Sequence, residues 1–141
     1  MEVKLREINN VWERIDKLYH EVARKFGLSD ADFHILYILY RPEEYVPQKE
    51  IYQQTGISKS TINSAVKKME QEGIIKINAF DGRSTQVGLT SKGRKLSSKS
   101  VEKIIEIENR IYDSWSEEKR ETMLNFNKDF MEAFASEVER L

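Results

Sequence analysis

The 141-residue sequence predicts a mainly α fold with one small β-hairpin, and three stretches carry that prediction. Apolar stripes at helical spacing occupy both ends of the chain, over residues 3–26 and beyond residue 91. Between them, residues 48–72 read as two short helices joined by a turn at Gly56. Directly after, residues 74–80 are rich in strand-favouring side chains, Asp81-Gly82 is a hairpin turn signal, and residues 86–89 make a short return strand. A helix pair followed at once by a hairpin is the pattern of a winged helix-turn-helix with flanking helices.

Taken in order, Ile8, Val11, Trp12, Ile15, Leu18, Tyr19, Val22 and Phe26 predict one long amphipathic helix, ended by Gly27. Ser29 then caps a second helix, with Asp32 at the capping-box position. That helix runs from Asp30 to about Arg41 and carries Phe33, Leu36, Tyr37, Leu39 and Tyr40, which marks it as the central core helix. Pro42 breaks it, and residues 43–46 are a loop or a minimal strand beside the hairpin. Pro47 opens the next helix, where its fixed φ helps and its missing N–H costs nothing. In that helix Ile51 and Tyr52 are expected inward, with Gln48 or Lys49 offered to phosphate. After the hairpin, Ser91 to about Trp115 reads as one further helix. Ser116 caps the last one, whose stripe is Met123, Leu124, Phe126, Phe130, Met131, Phe134, Val138 and Leu141.

The second helix of the central pair opens at Ser58. Its buried stripe is Ile62, Ala65, Val66 and Met69, and its other face carries Lys59, Ser60, Thr61, Asn63, Ser64, Lys67 and Lys68. Small hydroxyls, one amide and several ammonium groups can hydrogen-bond base edges and lie close to phosphates. An ordinary helical hairpin with a solvated polar face explains this helix alone equally well. The hairpin tips the balance towards duplex DNA. Arg83 and its neighbour Ser84 lie at its tip, where a long guanidinium can enter the electronegative minor groove, and Asp81 can brace it through a bidentate pair.

Asp81-x-Arg83 followed by Leu89-Thr90-x-x-Gly93, after a helix-turn-helix that stops at Gly73, resembles the MarR (multiple antibiotic resistance regulator) family. The resemblance covers nearly the whole chain. It implies a homodimeric transcription regulator on pseudo-palindromic double-stranded DNA, most often a repressor. It also implies that the helix matching residues 58–72 enters the major groove, and that the wing around Asp81, Gly82 and Arg83 reaches the minor groove. Tyr52 departs from the pattern, since a small residue usually faces the partner helix there. Regulators of this kind often bind aromatic or phenolic effectors between the dimerising helices and the DNA-binding unit. Trp12, Tyr19, Phe33, Tyr37 and Trp115 are the candidates for such a pocket, against the plainer reading of aromatics at helical spacing as core.

Length alone argues for one domain, residues 1–141, with residues 28–99 as the winged helix-turn-helix region and residues 1–27 and 100–141 as dimerisation helices. Helices that long cannot bury their stripes against so small a centre, and pairing with a second copy solves the problem. Charged residues make up 33% and apolar ones 39%, which predicts a globular protein. The longest apolar run, residues 35–40, is too short for a membrane span, and the acidic N-terminus lacks a signal-peptide core, so a cytoplasmic location is expected. The net charge is only −1, but Lys59, Lys67, Lys68, Lys76, Arg83, Lys92, Arg94, Lys95 and Lys99 cluster in the central stretch. Cysteine is absent, so thiol-based sensing is excluded. His20 and His34 each follow an aspartate by four residues (Asp16 and Asp30), yet solvated helix positions are the simpler account, and neither a metal nor a cofactor is expected. No nucleophile–base set or Gly-rich phosphate loop appears, which argues against an enzyme. The competing reading, from another class, is a protein-interaction module that keeps the fold without specific DNA binding.

Overall fold

The computed structural model describes residues 1–80 and 84–141. Its elements are α1 (Arg6–Lys25), α2 (Asp30–Leu39), β1 (Val46–Pro47), α3 (Gln48–Thr55), α4 (Lys59–Gln71), β2 (Ile75–Phe80), β3 (Ser84–Leu89), α5 (Ser91–Lys99), α6 (Val101–Asp113) and α7 (Glu117–Val138). They fall into two compact units, Met1–Lys103 and Ile104–Leu141. The mainly α class with a small antiparallel sheet agrees with the sequence.

Local chemistry sets most helix ends. The hydroxyls of Ser29, Ser58, Thr90 and Ser116 each accept the backbone N–H three residues on, at the starts of α2, α4, α5 and α7. Helix α4 stops in a Schellman turn: Gly73 takes φ 74°, its N–H reaches the Glu70 carbonyl, and the Ile74 N–H reaches that of Met69 at 2.9 Å. Asp32 departs from the expected capping box, because its carboxylate leaves the cap and bonds Lys68 Nζ on α4 at 3.2 Å.

The core of the first unit is built around α2, whose Phe33, Ile35, Leu36, Ile38 and Leu39 are all buried. Against it lie Ile51 from α3, Ile62, Val66 and Met69 from α4, Ile75, Val87 and Leu89 from the sheet, and Val101. Ile51 is fully buried, whereas Tyr52 beside it is only half-buried and faces the α4 side, so just one of the two residues expected inward belongs to the core. The sheet order is β1-β3-β2, with Val46 opposite Val87 and Ile75 opposite Leu89. The return strand is longer than its sequence indicated, since pairing runs to Phe80 opposite Ser84.

The expected single helix after Thr90 is instead two. The break falls at Ser100 (φ −129°, ψ −90°), which is buried and turns its hydroxyl back to the Leu96 carbonyl at 2.7 Å. A serine bonding four residues back competes with the helix ladder and bends it. Glu102, just beyond, has a carboxyl below its ordinary range because Tyr40 and then Ser98 hydrogen-bond to it. This ties the start of α6 to the end of α2.

In the second unit no residue is buried. Arg120 fastens its turn, donating to the carbonyls of Tyr112 (2.8 Å) and Asp113 (2.9 Å). Leu124, Phe126, Met131 and Phe134 on α7 are each more than half exposed. In the first unit, Val11 and Leu18 on α1 are likewise more than half exposed.

Thr90 and Gly93 join the parts of the first unit. The Thr90 hydroxyl accepts from the Gly93 N–H and points its single proton at the carbonyls of Gly73 (2.5 Å) and Ile74 (3.0 Å). A Cβ on Gly93 would lie 2.1 Å from the Ile74 carbonyl oxygen, a backbone atom with no freedom to retreat. Gly93→Ala is therefore expected to destabilise the fold by about 1–3 kcal/mol, read as a lower urea midpoint. An unchanged midpoint would show that the α5–β2 contact is looser than described.

Candidate nucleic-acid interface

Helix α3 delivers Gln48, Lys49 and Tyr52 to one side of a recess of about 310 Å³, behind Pro47. The first two turns of α4 contribute Lys59 and Asn63, and the start of β3 contributes Ser84 and Thr85. The three elements singled out in the sequence thus meet at one place. Gln48 Nε2 donates to Asn63 Oδ1 at 2.8 Å, and the Lys59 ammonium lies 5.4 Å from the centre of the Tyr52 ring, a cation–π distance.

On α4, Ser60, Thr61, Ser64 and Lys67 are exposed beside this recess. The Ser58 hydroxyl both caps the helix and donates to Thr61 Oγ1 at 2.8 Å, so Thr61 is partly engaged by the cap. Lys67 and Lys68 differ in their surroundings. Lys68 reaches the buried Asp32 at 3.2 Å and Glu72 at 3.9 Å, and its ammonium is held above the ordinary lysine range first by the Asp32 hydrogen bond and then by the Asp32 charge. No local pattern signals that partner, which lies 36 residues away. Asp81, Gly82 and Arg83 lie outside the described residues.

The proposed effector side chains are placed in different ways. Phe33 is buried and forms ring contacts with Tyr19 (6.4 Å) and Tyr37 (6.2 Å). Trp12 is half-buried on α1. Trp115 belongs to the second unit, where it contacts the Tyr112 ring and carries Lys119 Nζ 4.9 Å above its own. Asp16, His20, Asp30 and His34 line one further cavity of about 370 Å³ with Tyr19. There His20 Nδ1 donates to the Asp30 carboxylate (2.7 Å) and His34 Nδ1 to the Asp30 carbonyl (2.7 Å). Among the described residues no group of three or more acidic or histidine side chains is placed to hold a metal ion. Also among the described residues, no helix is long and apolar enough to cross a membrane.

A short helix, a turn at Gly56, a polar-faced second helix and a three-stranded wing together define a winged helix-turn-helix protein. A family model described as MarR family matches residues 26–84. The transcriptional regulator PecS of Dickeya dadantii is 32% identical over 111 residues, a match spanning 75% of this chain and 66%, just under two thirds, of PecS. Over these residues the chain is similar in sequence to the MarR family of transcription regulators. Among solved structures, the Neisseria meningitidis MarR family regulator NMB1585 superposes with a TM-score of 0.78 at 20% identity, covering 97% of this chain and 96% of its own. The Staphylococcus aureus MepR–DNA complex gives 0.69 at 18% identity, covering 95% and 99%. At those identities the superpositions speak to fold.

The wing has its own electrostatic fastening. Glu44, in the loop before β1, is paired with Lys76 of β2, whose ammonium also lies 5.0 Å from the Tyr45 ring centre. The Glu44 carboxyl sits below its ordinary range, chiefly through the Lys76 hydrogen bond and then its charge, and Lys76 is raised chiefly by the hydrogen bond to Glu44. A lowered carboxyl value makes the contact favourable above the unfolded glutamate value and removes it as pH falls through the folded one. A raised lysine value preserves it until pH climbs through the folded lysine value. Carbon-detected NMR titration is expected to place the Glu44 midpoint below that of an unpaired glutamate, and Lys76→Gln to move it back up. A midpoint indifferent to that substitution would mean the pair does not form in solution.

Proposed function

We propose that this protein is a homodimeric, sequence-specific double-stranded DNA-binding regulator acting on a pseudo-palindromic operator in the cytoplasm. The observation that carries the reading is the face of α4. Ser60, Thr61, Ser64 and Lys67 stand exposed on one side, with Ile62, Ala65, Val66 and Met69 buried on the other. A helix anchored by its apolar side and presenting small polar and cationic groups over its first turns can lie in a major groove without a steric obstacle there. Lys49, Lys59 and Lys67 are the phosphate-facing candidates, Ser60, Thr61, Asn63 and Ser64 the base readers. Arg83, braced by Asp81, is the minor-groove residue in this reading.

Homodimer formation rests on the apolar side chains that each unit leaves exposed, among them Val11 and Leu18 in the first and Phe126 and Phe134 in the second. Patches of this kind on helices mark association surfaces. Two copies related by a twofold axis would set two α4 helices against half-sites about 34 Å apart. Repression by promoter occlusion, relieved when a small aromatic effector favours a dimer with misspaced α4 helices, completes the reading as a population shift.

Two measurements test it. Selection of a randomised duplex library is expected to enrich an inverted repeat with wild type but not with Arg83→Ala, and Lys67→Ala to lower the salt slope of binding by about one unit. No enrichment at low salt from a folded protein would favour an interaction module. Sedimentation at micromolar concentration is expected to show a dimer, dispersed by Leu18→Glu or Phe134→Glu. A wild-type monomer would remove the two-half-site geometry.

A further inference from the structure

The recess where α3, α4 and β3 meet is lined, among the described residues, by Lys49 and Lys59 and by no carboxylate. Lys59 stands in the first turn of α4, where the positive end of the helix dipole repels an ammonium. That turn contains no acid to offset it. The single acid of α3, Glu50, is engaged elsewhere, accepting from Arg41 at 3.2 Å and from Gln54 at 2.8 Å. Among the described residues, the partner of the Lys59 ammonium is the ring of Tyr52, 5.4 Å away at its centre. Tyr52 is half-buried and Lys59 exposed, so the ring is the anchored member of the pair and the lysine the movable one.

A free lysine side chain samples many rotamers and gives up that freedom when its head is held at a phosphate. The negative face of the tyrosine ring gathers the ammonium towards α3 in advance. A small side chain at position 52 has no such face. A carboxylate in its place would also hold the lysine, but would cancel the charge that draws a phosphate. The ring does not, and an ammonium with three N–H donors keeps some of them for a phosphate oxygen. We infer that Tyr52 is a positioning residue for DNA binding: its ring holds Lys59 at the recess, ordered for a backbone phosphate without being neutralised. This inference rests on the DNA-binding reading given above and adds to it the residue that orders one phosphate contact.

Anisotropy titrations of the selected repeat and of a random duplex, each over a range of salt, test it. Tyr52→Leu removes the ring and keeps apolar bulk. It is expected to weaken binding to both duplexes by about two- to fivefold, with a salt slope near that of wild type because no charge is lost. Tyr52→Phe keeps the ring and is expected to recover most of that loss. Lys59→Met is expected to lower the salt slope by about one unit. Adding Tyr52→Leu to Lys59→Met is expected to cost nothing further, since the ring acts through the lysine. In the free protein, the Lys59 Hε resonances are expected upfield, under the ring current, in wild type and Tyr52→Phe but not in Tyr52→Leu. Circular dichroism matching wild type establishes that each variant is folded. Equal losses from Tyr52→Leu with and without Lys59 would overturn the inference by showing a packing role. A loss in Tyr52→Phe as large as in Tyr52→Leu would overturn it by giving the role to the hydroxyl. Full affinity in folded Tyr52→Leu would overturn it and leave the DNA-binding reading intact. A wild type that binds neither duplex at low salt would overturn both.

Discussion

The junction of Thr90 and Gly93 with Gly73 and Ile74 is the contact on which the winged unit depends. One hydroxyl caps α5 and meets the carbonyls that follow α4, while Gly93 lets the α5 backbone come against Ile74 where any side chain would collide. The stop of the polar-faced helix, the root of the wing and the start of α5 are thereby fixed by a handful of atoms. Because Ile74 also leads into β2, an error of even one residue at this point would turn the wing strands over and exchange their buried and exposed faces. The Thr-x-x-Gly spacing is therefore explained by the packing of this chain.

Electrostatics add direction to that frame. Asp32 reaches from α2 to Lys68 on the back of α4, and Glu44 reaches from the β1 loop to Lys76 on the wing. Each acid pairs with one lysine, and among the described residues Lys49, Lys59 and Lys67 are exposed cations at the candidate interface. For a chain of net charge −1, attraction to a polyanion has to be local. Arranging basic groups on one face while pairing those behind it achieves that without a uniformly positive surface.

Apolar exposure at the helical ends is the complementary constraint. The first unit closes its core on α2 and needs no help from Ile8, Val11, Ile15 or Leu18, which stay in solvent. The second unit has no buried residue, and its Phe130 and Phe134 rings stack 5.6 Å apart beside exposed Met131. Exposed apolar stripes of this kind on helices mark association surfaces.

By itself the sequence determined what depends on neighbours a few residues apart. Serine and threonine caps, glycine stops, the apolar periods and the hairpin signal act over one helical turn or one β-turn, so the fold class and most element ends were legible. Tertiary structure decided what needs residues distant in the chain to meet. The break at Ser100 follows from burial of a serine that periodicity treats as helical, and Tyr52 ends half-buried with Lys59 of α4 over its ring. The bonds between Asp32 and Lys68 and between Gln48 and Asn63 join residues 36 and 15 apart. Polar side chains at such separations carry no periodic signal, because their partners are chosen by the packing of the core and not by their place on a helix.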